Sequence, residues 1–160
     1  MGKNNLRPAK PADSAWLVNS HIELYQHEYG FDDSFGILVE EIVHDFFASL
    51  NASREAGWIA EIDEKPVGSI FCTCLTDQTA QLRLFFLLKQ ARGTGLGPSM
   101  LRSCMEFAKE AGYQDMRLWT HRSHTAACAL YRRSGWRCID AQPAVSFGQQ
   151  EVIETYVYRF

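Results

Sequence analysis

Leu82-Arg83-Leu84-Phe85-Phe86-Leu87-Leu88 leads, through Lys89-Gln90-Ala91, into Arg92-Gly93-Thr94-Gly95-Leu96-Gly97-Pro98. The first segment alternates polar and apolar residues from Gln81 to Leu84 and then turns wholly apolar. A strand buried on both faces does this, so it is expected at the centre of its sheet. The second segment is a glycine-rich turn opening a helix, with Pro98 as the first helical residue, where its missing N–H costs nothing. Glycines let main-chain N–H groups approach a ligand, and the helix N-terminus adds unpaired donors and a positive dipole end. Together they make an anion site suited to a phosphate or pyrophosphate. The alternative is that the glycines merely permit a tight turn, and for an isolated G-x-G that reading is the stronger.

Outward from this stretch, hydrophobic periodicity and turn residues divide the chain. Leu6 to Lys10 is read as a short strand. Asp13 caps a helix running to Tyr29, with Val18, Ile22, Tyr25 and Tyr29 inward. Asp32 or Asp33 caps a second helix through Leu50, with Leu38, Ile42, Phe46 and Leu50 inward. Strands are expected at Trp58 to Ile62, Val67 to Leu75 and Thr79 to Leu88, joined by turns at Asp63-Glu64-Lys65-Pro66 and Thr76-Asp77-Gln78. A helix from Pro98 to about Ala111 turns Leu101, Cys104, Met105, Ala108 and Ala111 inward. Then come a strand at Met116 to Thr120, a helix from His124 to Ser134 closed by Gly135, and strands at Trp136 to Asp140 and Val152 to Phe160. The order β-α-α-β-β-β-α-β-α-β-β, with hairpins in its middle, predicts an α/β (α+β) fold built on a mixed sheet.

A chain of 160 residues needs only one core, so residues 1–160 are expected to form a single domain. Net charge is −3, from 16 basic and 19 acidic residues without a basic stripe, which gives nucleic acid nothing to bind. The start lacks the apolar core of a signal peptide, and no apolar run reaches membrane-spanning length. Five cysteines without a C-x-x-C point to reduced thiols in a cytoplasmic protein and to no metal. Cys72 and Cys74, two apart on a strand, are read as small buried residues.

Two phosphate readings fail on spacing. A Walker loop needs G-x-x-x-x-G-K-[ST], and no Lys follows Gly97. A dinucleotide fingerprint needs G-x-G-x-x-G within regular βαβ units, whereas the spacing here is G-x-G-x-G behind antiparallel hairpins. By contrast, Arg92 to Gly97 matches [QR]-x-x-G-x-[GA], and Tyr131-Arg132-Arg133-Ser134-Gly135-Trp136 matches Y-x-x-x-G-[FW]. With the element order, these residues resemble the GNAT superfamily of acetyl-CoA-dependent N-acyltransferases over essentially the whole chain. A finer likeness, to the acetyltransferase domain often fused behind a winged-helix regulator of the multiple-antibiotic-resistance type, is carried by residues 21–31, 108–113, Leu118-Trp119-Thr120 and Ser146-Phe147-Gly148. No winged helix precedes Leu6, so a DNA-binding role is not expected. Two positions depart from the family pattern: Lys89 stands where Pro is common, and His124 where Asn is common.

The resemblance implies a splayed central sheet of about six or seven strands flanked by about four helices. It implies that the amides of Gly93, Thr94, Gly95, Leu96 and Gly97, with Arg92, hold the pyrophosphate of acetyl-CoA. The pantetheine arm would pair with the backbone near Phe85, Phe86 and Leu87, and His124 and Tyr131 would complete the binding site. Leu87 N–H would stabilise the oxyanion. Tyr131 is the candidate acid for the departing thiolate, the alternative being a packing role. Glu28 and His121 are candidate bases, with water relays as a third route. Arg83, where some relatives carry a carboxylate, cannot act as a base. It would pair with an acid or hold an anionic substrate. The region of Tyr25, Glu28, Tyr29, Phe31 and Phe35 would form a wall of the acceptor site, with core packing preferred for Tyr25 and Phe35. The expected acceptor is a small-molecule or peptide amine, with a homodimer through the terminal strands as a further expectation. A CoA-binding regulatory module without turnover is the competing class.

Overall fold

In the computed structural model, which describes residues 2–160, the described residues form seven strands and four α-helices. In order these are β1 (Asn4–Pro8), α1 (Ser14–Tyr29), α2 (Asp33–Ala48), β2 (Ala56–Ile62), β3 (Lys65–Cys74), β4 (Thr79–Leu87), α3 (Leu96–Glu110), β5 (Asp115–His121), α4 (Thr125–Arg133), β6 (Arg137–Ser146) and β7 (Gln149–Arg159). One sheet holds all seven strands in the order β1-β2-β3-β4-β5-β7-β6. Only β4 and β5 run parallel; every other pair is antiparallel. The expected mixed sheet is therefore observed, with β4 at its centre.

Successive side chains of a strand point to opposite faces, and the sheet separates two cores accordingly. Ile59 and Phe71 face α1 and α2, where they meet Leu17, Val39, Val43 and Phe46. Ala60, Ile70 and Cys72 face the other way, against Met100, Leu101, Cys104 and Ala108 of α3. Cys74, at the end of β3, is exposed, contrary to the expectation that it is buried with Cys72.

The helix faces differ from the periodicity reading. Along α1 the buried residues are Leu17 and His21, not the Val18 and Ile22 stripe. The ring of His21 shares a 2.7 Å hydrogen bond with the Leu17 carbonyl, which lets a neutral histidine occupy a core position. On α2 two apolar stripes overlap, and the one buried is Phe35, Val39, Val43 and Phe46. Leu38 and Leu50 stay 39% and 44% exposed. Phe35 decides this register, because its ring packs edge-on against Phe31 and tilted against Tyr25, at ring distances of 5.1 and 4.9 Å. Asp13 occupies the N-cap position of α1 as expected, but its side chain makes no capping hydrogen bond there. Its carboxylate accepts from Lys10 N–H at 2.7 Å and from Arg7 instead.

The last two strands are longer than their composition suggests. They pair from Arg137↔Val157 to Ser146↔Gln149, closing on a turn at Phe147 and Gly148 with φ of 50° and 79°. Two consecutive positive φ values give the tight turn whose twist matches a hairpin.

β4 and β5 stay paired for three residues only, Thr79↔Asp115, Ala80↔Met116 and Gln81↔Arg117. Beyond them β5 follows β7 as far as His121↔Ile153, while β4 follows β3. A bulge bends β4 where the strands part: Ser69 faces Phe86 and Phe71 faces Arg83, so Leu84 and Phe85 together oppose Ile70. Leu84 takes φ of 50°, a strained value for a branched residue, and the Ser69 hydroxyl donates to its carbonyl at 2.6 Å.

Gly68 lies under the bent end of β4. A Cβ there would approach the Phe86 carbonyl oxygen to 2.5 Å and Leu87 Cδ2 to 2.7 Å. Gly68→Ala is expected to lower the unfolding free energy by about 2 kcal/mol, the usual scale of overpacking. Urea titration of the two proteins checks it; unchanged stability would mean that β4 is free to shift.

Candidate active site

The gap between β4 and β5 opens into a cavity of about 350 Å³. Arg83, Leu84 and Phe85 line it from β4, and Leu118 to His121 from β5. His21 and Tyr25 of α1, Leu38 and Ile42 of α2, and Phe31 and Phe35 between them close one side. Ser146, Phe147 and Ile153 of the final hairpin close the other, and His124 and Tyr131 complete the rim. Tyr25 and Phe35 serve both purposes, since each packs in an aromatic cluster and faces the cavity. Glu28 and Tyr29 lie outside the lining.

The main chain of β4 offers polar groups to the gap. Residues of an antiparallel strand alternate between those bonded to the neighbour and those turned away. Leu88 N–H donates to Val67 O at 2.8 Å, so Leu87, one residue back, turns its N–H and C=O toward the gap. Phe86 follows Leu88 in facing β3, where it is paired with Ser69. Its backbone is thereby directed away from the gap, and its ring packs on His21 at 4.3 Å and Trp16 at 5.7 Å. Of the three residues expected to pair with an inserted arm, Leu87 and Phe85 border the gap and Phe86 belongs to the core.

At the end of β4 the glycine turn runs into α3. Gly93 and Gly95 have φ of 74° and 84°, and an added Cβ at either would meet nothing within 4 Å. These glycines are thus needed for their backbone shape, and the space over them is open. Helix α3 begins at Leu96, two residues earlier than expected, and its first internal bond runs from Ser99 N–H to Gly95 O at 3.3 Å. The N–H groups of Leu96 and Gly97 are left without helical partners. Pro98 stands third in the helix, still inside the turn whose N–H groups are unpaired. The turn thus has the donors and the room that a pyrophosphate needs.

Residues 18–136 match the acetyltransferase (GNAT) family. The chain belongs to the GNAT acetyltransferase family. It is 25% identical over 126 residues to an uncharacterized N-acetyltransferase of Methanocaldococcus jannaschii, covering 74% of this chain and 56% of that one. To human N-acetyltransferase 8B it is 32% identical over 85 residues, covering 50% of this chain and 37% of the relative. These matches span about half or less of the relatives' own length. In fold it is similar to the Salmonella typhimurium protein yncA, solved with its cofactor acetyl-CoA, at a TM-score of 0.81 and 15% identity over 98% of this chain and 94% of that one. It is also similar to a ribosomal-protein-alanine N-acetyltransferase from Brucella melitensis, at 0.80 and 18% over 98% and 99%.

Within this GNAT fold the titratable groups are spread between the cavity and its supports. Tyr131 is 4% exposed, and burial pushes its phenol well above the ordinary range, so it stays protonated at neutral pH. Its neighbour Arg132 reaches Glu154 at 3.6 Å. The Glu154 carboxylate, buried on β7, also accepts from Tyr156 at 2.6 Å and from Arg122 at 2.7 Å. Burial opposes its charge, but these partners prevail and hold its pKa below the usual carboxylate value. The network ties α4, which carries Tyr131, to the sheet. Spacing alone did not reveal it, because Glu154 and Arg132 come from separate elements.

The two candidate bases have different surroundings. Glu28 accepts from the two terminal nitrogens of Arg92, at 3.1 and 3.2 Å, with Lys89 at 3.6 Å. It thus ties α1 to the glycine turn. Arg92 also donates from Nε to Leu87 O at 3.2 Å. His121 lines the cavity, 7% exposed, with Nε2 at 2.9 Å from the Ser146 hydroxyl and Nδ1 buried without a partner. Burial lowers its pKa, so the ring is neutral and keeps a lone pair. His124 lies 5.1 Å away, ring to ring, and burial brings it down to about 4. Among the described residues no cluster of three or more His, Cys, Asp or Glu is arranged to hold a metal, and no helix is long and apolar enough to cross a membrane.

His21 is also lowered to about 4 by burial. Below pH 6.5 the unfolded chain takes a proton that folded His21 refuses until near pH 4, so stability is full above 6.5 and declines as pH falls. His21 is expected to remove about 2 kcal/mol between pH 7 and pH 5. Urea unfolding at both pH values, with and without His21→Phe, checks this; an equal decline in the two proteins would rule His21 out as the source.

Proposed function

We propose that this chain is an acetyl-CoA-dependent N-acetyltransferase in which an amine attacks the thioester directly. The observation that carries the reading is the parting of β4 and β5 beside an open glycine turn, which leaves Leu87 N–H and C=O facing the gap. Main-chain groups at such an edge, with the Leu87 C=O held by the Arg92 side chain alone, suit an inserted amide-bearing chain, a form of strand addition. In this reading the amides from Gly93 to Gly97 hold the pyrophosphate, and Arg92 adds charge. Arg92 would leave the Leu87 carbonyl free by turning outward to phosphate.

Leu87 N–H is placed to take developing negative charge on the thioester oxygen. His121, neutral and facing the cavity, is the base this reading favours, accepting the amine's proton at its nitrogen. Glu28, held by Arg92 and Lys89, positions the turn instead. Tyr131 supplies the proton to the leaving thiolate, for which its protonated phenol is suited. The acceptor is an amine small enough, or extended enough, to enter the cavity, and the protein works in the cytoplasm.

The test is CoA release measured over an amine panel, together with calorimetric binding of acetyl-CoA. Tyr131→Phe is expected to lower kcat by about a hundredfold or more, the range for losing a general acid, without weakening acetyl-CoA binding. Gly95→Glu is expected to abolish binding, because its carboxylate would enter the phosphate site; retained binding would refute the ligand's placement. Binding without turnover on any amine, with no effect of Tyr131→Phe, would make the chain a CoA-binding module.

A further inference from the structure

Among the described residues the cavity lining holds one permanent cation, Arg83, and no aspartate or glutamate. Arg83 pairs in register with Phe71, so its side chain lies on the α1 and α2 side of the sheet. It is half-buried, and among the described residues it makes no salt bridge. Burial lowers its pKa, and Asp45, the one acid that opposes the shift, is too distant to pair. Removing a guanidinium from water without a counter-ion is costly, and an anionic ligand would recover that cost. Around it the walls are apolar and aromatic: Leu38, Ile42, Phe31, Phe35 and Phe147. The three histidines that face the space are neutral and do not compete for an anion.

We infer that the acceptor is an amine carrying its own carboxylate and an apolar side chain, of which a free aromatic or branched aliphatic α-amino acid is the simplest form. This rests on the acetyltransferase reading above. Arg83 holds the carboxylate in a charge-assisted, two-pronged contact. The apolar side chain lies among the phenylalanines, and the α-amine is left facing the gap between β4 and β5. A polyamine or an exposed lysine side chain is a poor guest, since its second positive charge or its neighbourhood would meet Arg83 with no carboxylate to offset it. In the transfer itself the amine nitrogen forms a bond to the acetyl carbonyl carbon and the carbon–sulfur bond breaks. One proton leaves the nitrogen and one reaches the CoA sulfur.

The experiment compares phenylalanine, leucine and tryptophan with their amides and with the amines that lack the carboxylate. Binding to the CoA-saturated protein is read by calorimetry and acetylation by CoA release, for the unaltered chain, Arg83→Gln and Arg83→Lys. The acids are expected to bind about ten- to a hundredfold more tightly than the amides, the range for a hydrogen bond to a charged group. Arg83→Gln should erase that difference, Arg83→Lys should restore part of it, and the affinity for acetyl-CoA should be unchanged in both. Amides have the less basic amine, so preference for the acid cannot come from easier deprotonation. Equal binding of acids and amides, or an equal loss for all ligands in Arg83→Gln, overturns the inference. Because binding is measured apart from turnover, an Arg83-dependent preference for acids without acetylation would uphold the anion site while refuting the enzyme reading.

Discussion

Main-chain pairing between β4 and β5 ends after three residue pairs, and the rest of the site depends on that ending. Parallel strands ordinarily continue side by side until one terminates. Here both strands go on, each bonded to its other neighbour, and the space between them becomes the cavity. The bulge at Leu84 and Phe85 supports the divergence by bending β4, and the Ser69 hydroxyl satisfies the carbonyl that the bend exposes. A continuous ladder would have satisfied Leu87 and left no room for a ligand. The sheet thus gives up hydrogen bonds at its centre and surrounds the loss with two cores, one on each face.

Charge is distributed to match. The interior of the cavity keeps neutral histidines and one guanidinium, whereas the carboxylates serve at the periphery as ties. Glu28 joins α1 to the glycine turn through Arg92. Glu154 joins α4 to the sheet through Arg132, Arg122 and Tyr156. Neither carboxylate lines the space, although both lie near residues that do.

The element order, the central place of β4 and the glycine turn into α3 were legible in the sequence because each rests on local signals: an apolar run, glycines at the required positions and a helix behind them. The family match and the observed sheet agree with that reading. The helix faces were less legible. Periodicity cannot choose between overlapping stripes on α2, and it counts His21 as polar although a carbonyl four residues earlier bonds its Nδ1 and leaves Nε2 buried without a partner. The alternation that turns Leu87 toward the gap and Phe86 away from it depends on the register with β3, which spacing does not reveal. The pairing of Glu28 with Arg92 joins residues 64 apart, and the extension of β6 through Pro143 to Ser146 depends on its partner strand rather than on its own composition.

The strand order β5-β7-β6 has a consequence in time. β7 is the last of the seven strands in the chain, yet it lies between β5 and β6. As the chain is synthesised from its N-terminus, β5 therefore emerges with one edge open, and β6 cannot join the sheet before β7 arrives. Ser146, which bonds His121, and Phe147, which packs on Phe31 and Phe35, ride on the same hairpin. The nascent protein can complete its glycine turn while residues of the final hairpin are still inside the ribosome, but it cannot complete the cavity between β4 and β5. The turn at the end of β4 is ready to form before the wall that closes the cavity.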